Sequence, residues 1–318
     1  MSSIKRLLFG AAVVLVVTSF SAGANAEKKI GILTFSGEAR YVEAKKGIED
    51  TLRKGGFAEP KATFIVEDAA ANQAQAAKLV QKFAAAKLDL IITLGTSATV
   101  AMSREIQDVP IVFSVVYDPV EIGTAKSWKS SGNNTTGSSS KIPMSRLMET
   151  LKNFPKVKRL AVLYTPGEKN SELTLKDLQS IQGRYAIKVI PVSLTTIEEI
   201  SQLLPKVLRS VNAVYVTGAN LVNGQISIIV DMAIKDKVIT VTHLDDLVDK
   251  GVLVGVCANA YSMGQVAGEK ALKILRGAKP SSIPVGTARK VDVLLNAITA
   301  KKGNYQIPAT LMRTVTKK

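Results

Sequence analysis

The chain has 318 residues, 42 Lys and Arg against 26 Asp and Glu, and a formal net charge of +16 at pH 7. A hydrophobic fraction of 46% with 21% charged residues excludes an intrinsically disordered chain, and the length accommodates two cores better than one. The basic residues are scattered, with no basic run and no aromatic interleaving, so the charge gives no footprint for nucleic acid and reads as a solvated basic surface. A weak attraction to an anionic membrane surface stays open.

The first residues have the pattern of an export leader. Lys5 and Arg6 precede the apolar run LLFGAAVVLVV, Leu7 to Val17, and Ala24-Asn25-Ala26 is a small-x-small cleavage site. The run is well short of the ~20 residues that a membrane span needs. Residues 1–26 are therefore expected to be a cleaved signal peptide, with the mature chain starting near Glu27. No Cys lies near that site to carry a lipid, and a periplasm between two membranes is the expected location. The one cysteine, Cys257, cannot form an internal disulfide, so the fold must rest on its core.

From there, apolar β-branched runs alternate with helical patterns. Strands are predicted over Ile30–Phe35, Thr63–Glu67, Leu88–Leu94, Ile111–Val116, Arg159–Tyr164, Lys188–Ser193, Ala213–Thr217, Val238–Thr242, Val252–Val256 and Val291–Leu295. Helices are predicted over Ala39–Lys54, Gln73–Ala86, Ser97–Glu105, Met144–Asn153, Ser171–Arg184, Ile197–Arg209, Gln225–Lys235 and Ser262–Arg276. Strands without polar alternation are buried on both faces, as in parallel sheets covered by helices. The order predicts an α/β architecture of two doubly wound parallel-sheet lobes. It breaks once, at the polar stretch Ser127 to Ser140 (SWKSSGNNTTGSSS), which reads as a loop.

Ligands of open parallel sheets sit beyond the carboxyl ends of the strands, where the following helices present unpaired N–H groups. The corners there include Phe35-Ser36-Gly37, Gly95-Thr96-Ser97, Tyr117-Asp118-Pro119, Pro166 to Ser171, Gly218-Ala219-Asn220, His243-Leu244-Asp245 and Asn259-Ala260-Tyr261. Small hydroxyls and amides suit a carboxylate, Asp118 and Glu168 suit a donor, and Tyr117 and Tyr261 can wall a planar group. Structural roles are open to the same residues. Thr96, Ser97, Asn170 and Ser171 can cap helices, Asp118 before Pro119 can start a turn, and Glu168 can be a solvated loop acid. His243 is the single histidine and has no neighbouring ligand set for a metal, and Tyr117 and Tyr261 can pack at a hinge. No nucleophile elbow, Ser-His-Asp grouping or dinucleotide fingerprint occurs, and although a glycosidase-type carboxylate pair stays open, Asp118 and Glu168 have no special spacing, so no catalytic residue, cofactor or metal is expected.

The stretches KKIGILTF, DLIITLGTSAT, VPIVFSVVYDPVEIGTAKSW, GNNTTGSSSKIP, KRLAVLYTPGEKNS, AVYVTGANLV and YSMGQVAGEKALKILRGAKPSSIPV span the mature chain in order. Together they resemble the type I periplasmic solute-binding proteins of ABC transporters, in the family that includes tryptophan/tyrosine-binding proteins. The resemblance implies two lobes joined by three hinge strands, residues 27–141 plus 259–281 and residues 142–258 plus 282–318, with the helix Ser262–Arg276 returning to the first. It implies solute contacts at Thr96, Ser97, Tyr117, Asp118, Glu168, Asn170, Ser171 and Asn220. To these the corners add Phe35, Ser36, His243, Asn259 and Tyr261. Two departures stand out: Gly218-Ala219-Asn220 replaces an Asn-Asp-Asn-like corner, and Asn259 replaces an Asp. The solute is expected to be an amino acid, aromatic or branched, or a carboxylate or neutral relative without an amine. A monomer is expected, with an inner-membrane ABC permease as partner. A ligand-sensing module for a histidine kinase or chemoreceptor is the alternative.

Overall fold

A computed structural model of the chain describes residues 27–312 and 315–317. The expected signal peptide, residues 1–26, lies outside them. In chain order the first elements are β1 (Lys28–Thr34), α1 (Ala39–Lys54), β2 (Ala62–Asp68), α2 (Gln73–Ala85), β3 (Leu90–Leu94), α3 (Thr96–Glu105), β4 (Ile111–Val116), β5 (Thr135–Ser139) and α4 (Met144–Lys152). Next come β6 (Arg159–Tyr164), α5 (Lys169–Tyr185), β7 (Lys188–Ser193), α6 (Ile197–Leu208), β8 (Ala213–Val216), α7 (Asn220–Gly224), α8 (Ile226–Lys235), β9 (Ile239–Thr242) and α9 (Asp245–Asp249). The last are β10 (Val254–Ala258), α10 (Ala260–Leu275), β11 (Gly286–Thr287), β12 (Val291–Leu295), α11 (Ala297–Lys302), α12 (Ala309–Met312) and β13 (Val315–Lys317).

The strands form two sheets, in the orders β11-β5-β4-β3-β1-β2 and β13-β12-β10-β9-β8-β6-β7. Pairing is parallel throughout the first and broken in the second only where β12 runs antiparallel to β10. The apolar runs of β3, β4 and β8 are buried along their whole length, as strands covered on both faces must be. Each sheet is wound in the same order, so the direction of winding reverses between β1 and β3 and again between β6 and β8. Such a reversal leaves a crevice beyond the strand ends.

The chain passes between the sheets three times: between β5 and α4, between β10 and α10, and between β11 and β12. The third passage falls after Thr287, later than the boundary expected at residue 281. Gly286 and Thr287 pair with Ser138 and Ser139, and the Thr136 hydroxyl donates to the Ile283 carbonyl at 2.9 Å, which holds this segment on the first sheet.

The polar stretch expected to be a loop contains a fully buried strand, β5. Its short side chains are satisfied rather than apolar. Ser138 Oγ bonds Ser114 Oγ at 2.9 Å, Thr135 Oγ1 donates to the Thr124 carbonyl at 2.7 Å, and Ser139 Oγ donates to the Tyr117 carbonyl at 2.5 Å. Hydropathy does not register a strand whose interior contacts are hydroxyl bonds. A register shift between Phe113 and Val116 places Val115 at φ 57°, a strained setting for a β-branched residue.

Helix α10 returns to the first lobe and packs on α1 at close range. A Cβ on Gly264 would stand 2.0 Å from the Ala44 carbonyl oxygen, and one on Gly47 would stand 2.2 Å from that of Tyr261. Because backbone meets backbone, neither helix has a flexible side chain to move aside. The variant Gly264→Ala is expected to destabilise the protein by about 1–3 kcal/mol, the usual cost of overpacking, read as a lower urea midpoint at unchanged slope.

Candidate functional site

At the first reversal, β1 ends in Phe35 and Ser36, both buried, and β3 ends in Gly95, whose φ of 95° starts α3. A Cβ there would lie 2.7 Å from the Tyr41 hydroxyl, so glycine lets Tyr41 of α1 fold over the corner. At the second reversal, β6 leads through Pro166 and Gly167 into α5, and β8 leads through Gly218 into α7. Asn170 Nδ2 donates to the Gly218 carbonyl at 2.8 Å and ties those two corners together. Asn220 completes the tie, its backbone N–H and its side-chain amide each 3.0 Å from Glu168 Oε2.

The two reversals face each other across a cavity lined by Arg40, Tyr41, Thr96, Val115, Tyr117, Ser140, Asn170, Gly218, His243 and Leu244. Its volume is about 20 Å³, room for roughly one water. The lobes are thus in contact, and an amino-acid-sized molecule enters only if they part.

Charged groups span the boundary. Arg40 of α1 is 3% exposed and donates through Nη1 to Asp246 Oδ2 of α9 at 2.9 Å, while Nη2 pairs with Glu38. Burial works against the guanidinium charge, yet Tyr41, Asp246 and Glu38 hold its pKa above the ordinary value. Asn223 Nδ2 of α7 reaches Glu38 Oε1 at 3.4 Å. On the other flank, Tyr117 Oη donates to Asp177 Oδ2 of α5 at 2.8 Å. Lys141, on the first passage between the sheets, bridges Asp118 at 2.7 Å and Asp177 at 2.8 Å. Burial raises the Glu168 carboxyl pKa, the Asn220 N–H opposes the rise, and the nearby charge of Glu38 adds to it.

His243 is buried between two tyrosines. Its ring stacks on Tyr215 at 5.9 Å and meets Tyr117 edge-on at 5.4 Å, with Tyr215 Oη 2.5 Å from Nδ1. Burial and the charge of Arg40 push its pKa down to about 3.

Of the residues marked in the sequence, Thr96, Tyr117, Asn170 and His243 line the cavity. Glu168 and Asn220 stand beside Asn170 as the bracing pair. Ser97 is half-buried in the first turn of α3. Phe35 and Ser36 hold the corner after β1, where Ser36 Oγ donates to Glu38 at 3.1 Å.

Asp118 starts a turn, accepting from the Val120 and Glu121 N–H groups at 3.1 Å while it binds Lys141. The Ser171 hydroxyl is used within its own corner, donating to the Thr165 and Glu168 carbonyls. Asn259 is exposed and caps α10 through the Ser262 N–H, and Tyr261 Oη donates to Asp50 of α1 at 2.9 Å. These last four are not among the residues that line the cavity.

Arg40, Tyr41, Glu38 and Asp246 escape the sequence reading because Arg40 and Tyr41 read as the first turn of an ordinary helix, Glu38 directly precedes it, and Asp246 lies in a segment, α9, too short to show a helical pattern. The one available signal is position: Glu38, Arg40 and Tyr41 follow the β1 corner directly, and Asp246 follows the His243 corner.

The family model described as ABC transporter substrate binding protein matches residues 29–318. A tyrosine-binding protein of Clostridioides difficile (strain R20291) is 27% identical over 282 residues, 88% of this chain and 82% of that protein. Among solved structures, an ABC domain from Streptococcus pneumonia in complex with L-Trp superposes with a TM-score of 0.86 at 22% identity, covering 92% of this chain and 99% of the other. The ligand-free, open structure of a substrate binding protein with adhesive properties from Clostridium difficile gives 0.73 at 28% identity, with coverage of 92% and 99%.

His243 makes stability depend on pH with a definite sign. Its folded-state pKa lies below the unfolded value near 6.5, so the unfolded chain takes up the proton first. Stability is full above about pH 6.5 and falls as the pH drops toward 3, by at most ~1.4 kcal/mol per unit. Urea midpoints from pH 7 to 4 should therefore fall more steeply for the natural chain than for His243→Gln, the two curves separating below pH 6.5.

Proposed function

The chain belongs to the ABC transporter substrate-binding protein family, and on that premise we propose that it captures a small amino-acid-like solute between its lobes for an ABC import system. The observation that carries this reading is the placement of both sheet reversals on one cavity, with side chains from each lobe in its wall. Thr96 at the start of α3 and Asn170 at the start of α5 present polar groups from opposite sides, and Tyr41 and Tyr117 supply flat apolar walls. Relatives named for tyrosine and crystallised with tryptophan support a solute of that size.

The solute docks on one open lobe, and the other swings in about the three connecting passages. Closure is driven by contacts that only the closed state makes with the solute, since a ligand shifts an equilibrium by its differential affinity alone. The Arg40–Asp246, Tyr117–Asp177 and Lys141–Asp177 contacts form at the same moment. They are the protein's own share of the closing energy. The closed particle is then read by a permease in the inner membrane, and the solute leaves chemically unchanged. The leader-like residues 1–26 support a periplasmic location, and the protein works as a monomer with one solute per cleft.

Mass spectrometry of what co-purifies identifies the solute. Added at a hundred times its Kd, it should stabilise the fold by about 2.7 kcal/mol and shrink the radius of gyration in small-angle scattering. A saturated particle that stays the same size would rule out hinge closure. Asn170→Ala should weaken binding roughly tenfold, about 1.4 kcal/mol, while the solute-free melting temperature moves by only a few degrees. Unaltered affinity by calorimetry would take that corner out of the site.

A further inference from the structure

Among the described residues that line the cleft cavity, Arg40 alone is charged. Its two partners, Glu38 and Asp246, do not line the cavity, so they present the guanidinium to a guest rather than themselves. A guanidinium has five N–H donors, and two ion pairs do not exhaust it. Asp118 and Glu168, the acids expected to meet a donor on the solute, are also absent from the wall. The first is bonded to Lys141 and the second to Asn220.

The uncharged part of the wall adds further donors. The Thr96 and Ser140 hydroxyls belong to side chains 8% and 4% exposed, and neither makes a hydrogen bond with another described residue. His243 supplies a third. Tyr215 is fully buried, and among the described residues its hydroxyl meets only His243 Nδ1. The hydroxyl therefore donates to Nδ1, and the imidazole proton sits on Nε2. Burial and the charge of Arg40 keep that ring neutral at pH 7, and Nε2–H has no acceptor among the described residues.

Taking the cleft as the solute site, we propose that the solute is an aromatic carboxylate without an ammonium group: an arylpropionate, or the 2-oxo or 2-hydroxy acid on the same skeleton. Its oxygens accept from Arg40, from the Thr96 and Ser140 hydroxyls and from His243 Nε2–H, and its ring lies between Tyr41 and Tyr117. An ammonium in the closed cavity would lose its water with no carboxylate in the wall to receive it. The nearest charge would be the like charge of Arg40, and both effects disfavour it. The charge of the whole molecule acts in the same direction. The chain carries +16, and residues 1–26 hold Lys5 and Arg6 with no acid, so residues 27–318 carry +14. A positive molecule draws in an anion and speeds its association.

Six probes in two sets of matched shape separate the charge states. One set is 4-hydroxyphenylpropionate, an anion, tyrosine, a zwitterion, and tyramine, a cation. The other is indole-3-propionate, tryptophan and tryptamine. Calorimetry on the full mature chain, with scattering on each mixture, is expected to rank one of the two anions first by at least tenfold and to show compaction with it. Added salt should slow its association. Arg40→Gln should cut the anion's affinity at least tenfold and leave the zwitterion within a factor of two or three. Thr96→Val and Ser140→Ala touch no ion pair and so carry the test if loss of Arg40 unfolds the chain. Each should weaken the anion about fivefold with little change in melting temperature. A zwitterion or an amine bound first, with compaction, overturns the charge assignment and leaves the cleft reading intact. Response to none of the six also overturns the assignment, as does an anion whose affinity survives both hydroxyl substitutions. An anion bound without compaction overturns both readings.

Discussion

The buried ion pair between Arg40 and Asp246 is the contact on which the closed molecule depends. It joins residues 206 positions apart, one from each lobe, and both are almost wholly shielded from water. Burying two charges costs several kcal/mol per ion, and only a well-placed partner offsets the cost. Asp246 pairs with a cation of the other lobe, whereas Arg40 also holds Glu38 of its own lobe, so the pair ties the two lobes together as they stand.

Around that pair the winding of the sheets does the positioning. Because both sheets reverse direction at corresponding places, the corners after β1 and β3 face those after β6 and β8. The corner residues mostly brace the backbone: Asn170 holds Gly218, Asn220 holds Glu168, and Gly95 leaves room for Tyr41. Such bracing keeps polar groups in place before any solute arrives, so less conformational entropy is lost on binding. The strained Val115, held at positive φ by the bulge in β4, lies in the cavity wall, where strain of this kind tends to collect.

Electrostatics divides the cleft into two flanks. On one, Lys141 satisfies Asp118 and Asp177 together, and Tyr117 adds its hydroxyl to Asp177, so charge and hydrogen bonding are closed. On the other, Arg40 serves Glu38 and Asp246 with Glu168 nearby, and acceptors are left over. The first flank resembles a clasp complete in itself.

The fold was legible in the sequence because it is written in local periodicity. Buried parallel strands are continuous apolar runs, helices between them carry one apolar stripe, and glycine and proline mark the corners, so ten strands and the major helices could be placed without a structure. β5 was not legible, because Thr135 to Ser139 reach the interior through hydroxyl bonds to partners as distant as Ile283. The corners were legible, and Thr96, Tyr117, Asn170 and His243 from them line the cavity, whereas Arg40, the charged residue in its wall, was not marked. An Arg or Asp at the start of a helix looks solvated in sequence, and only the approach of two lobes decides that Arg40 and Asp246 lose their water. Sequence alone fixed which segments become strands, helices and corners, since those depend on neighbours a few residues away. The tertiary structure alone decided which charges are buried and paired, since that depends on desolvation by residues hundreds of positions distant.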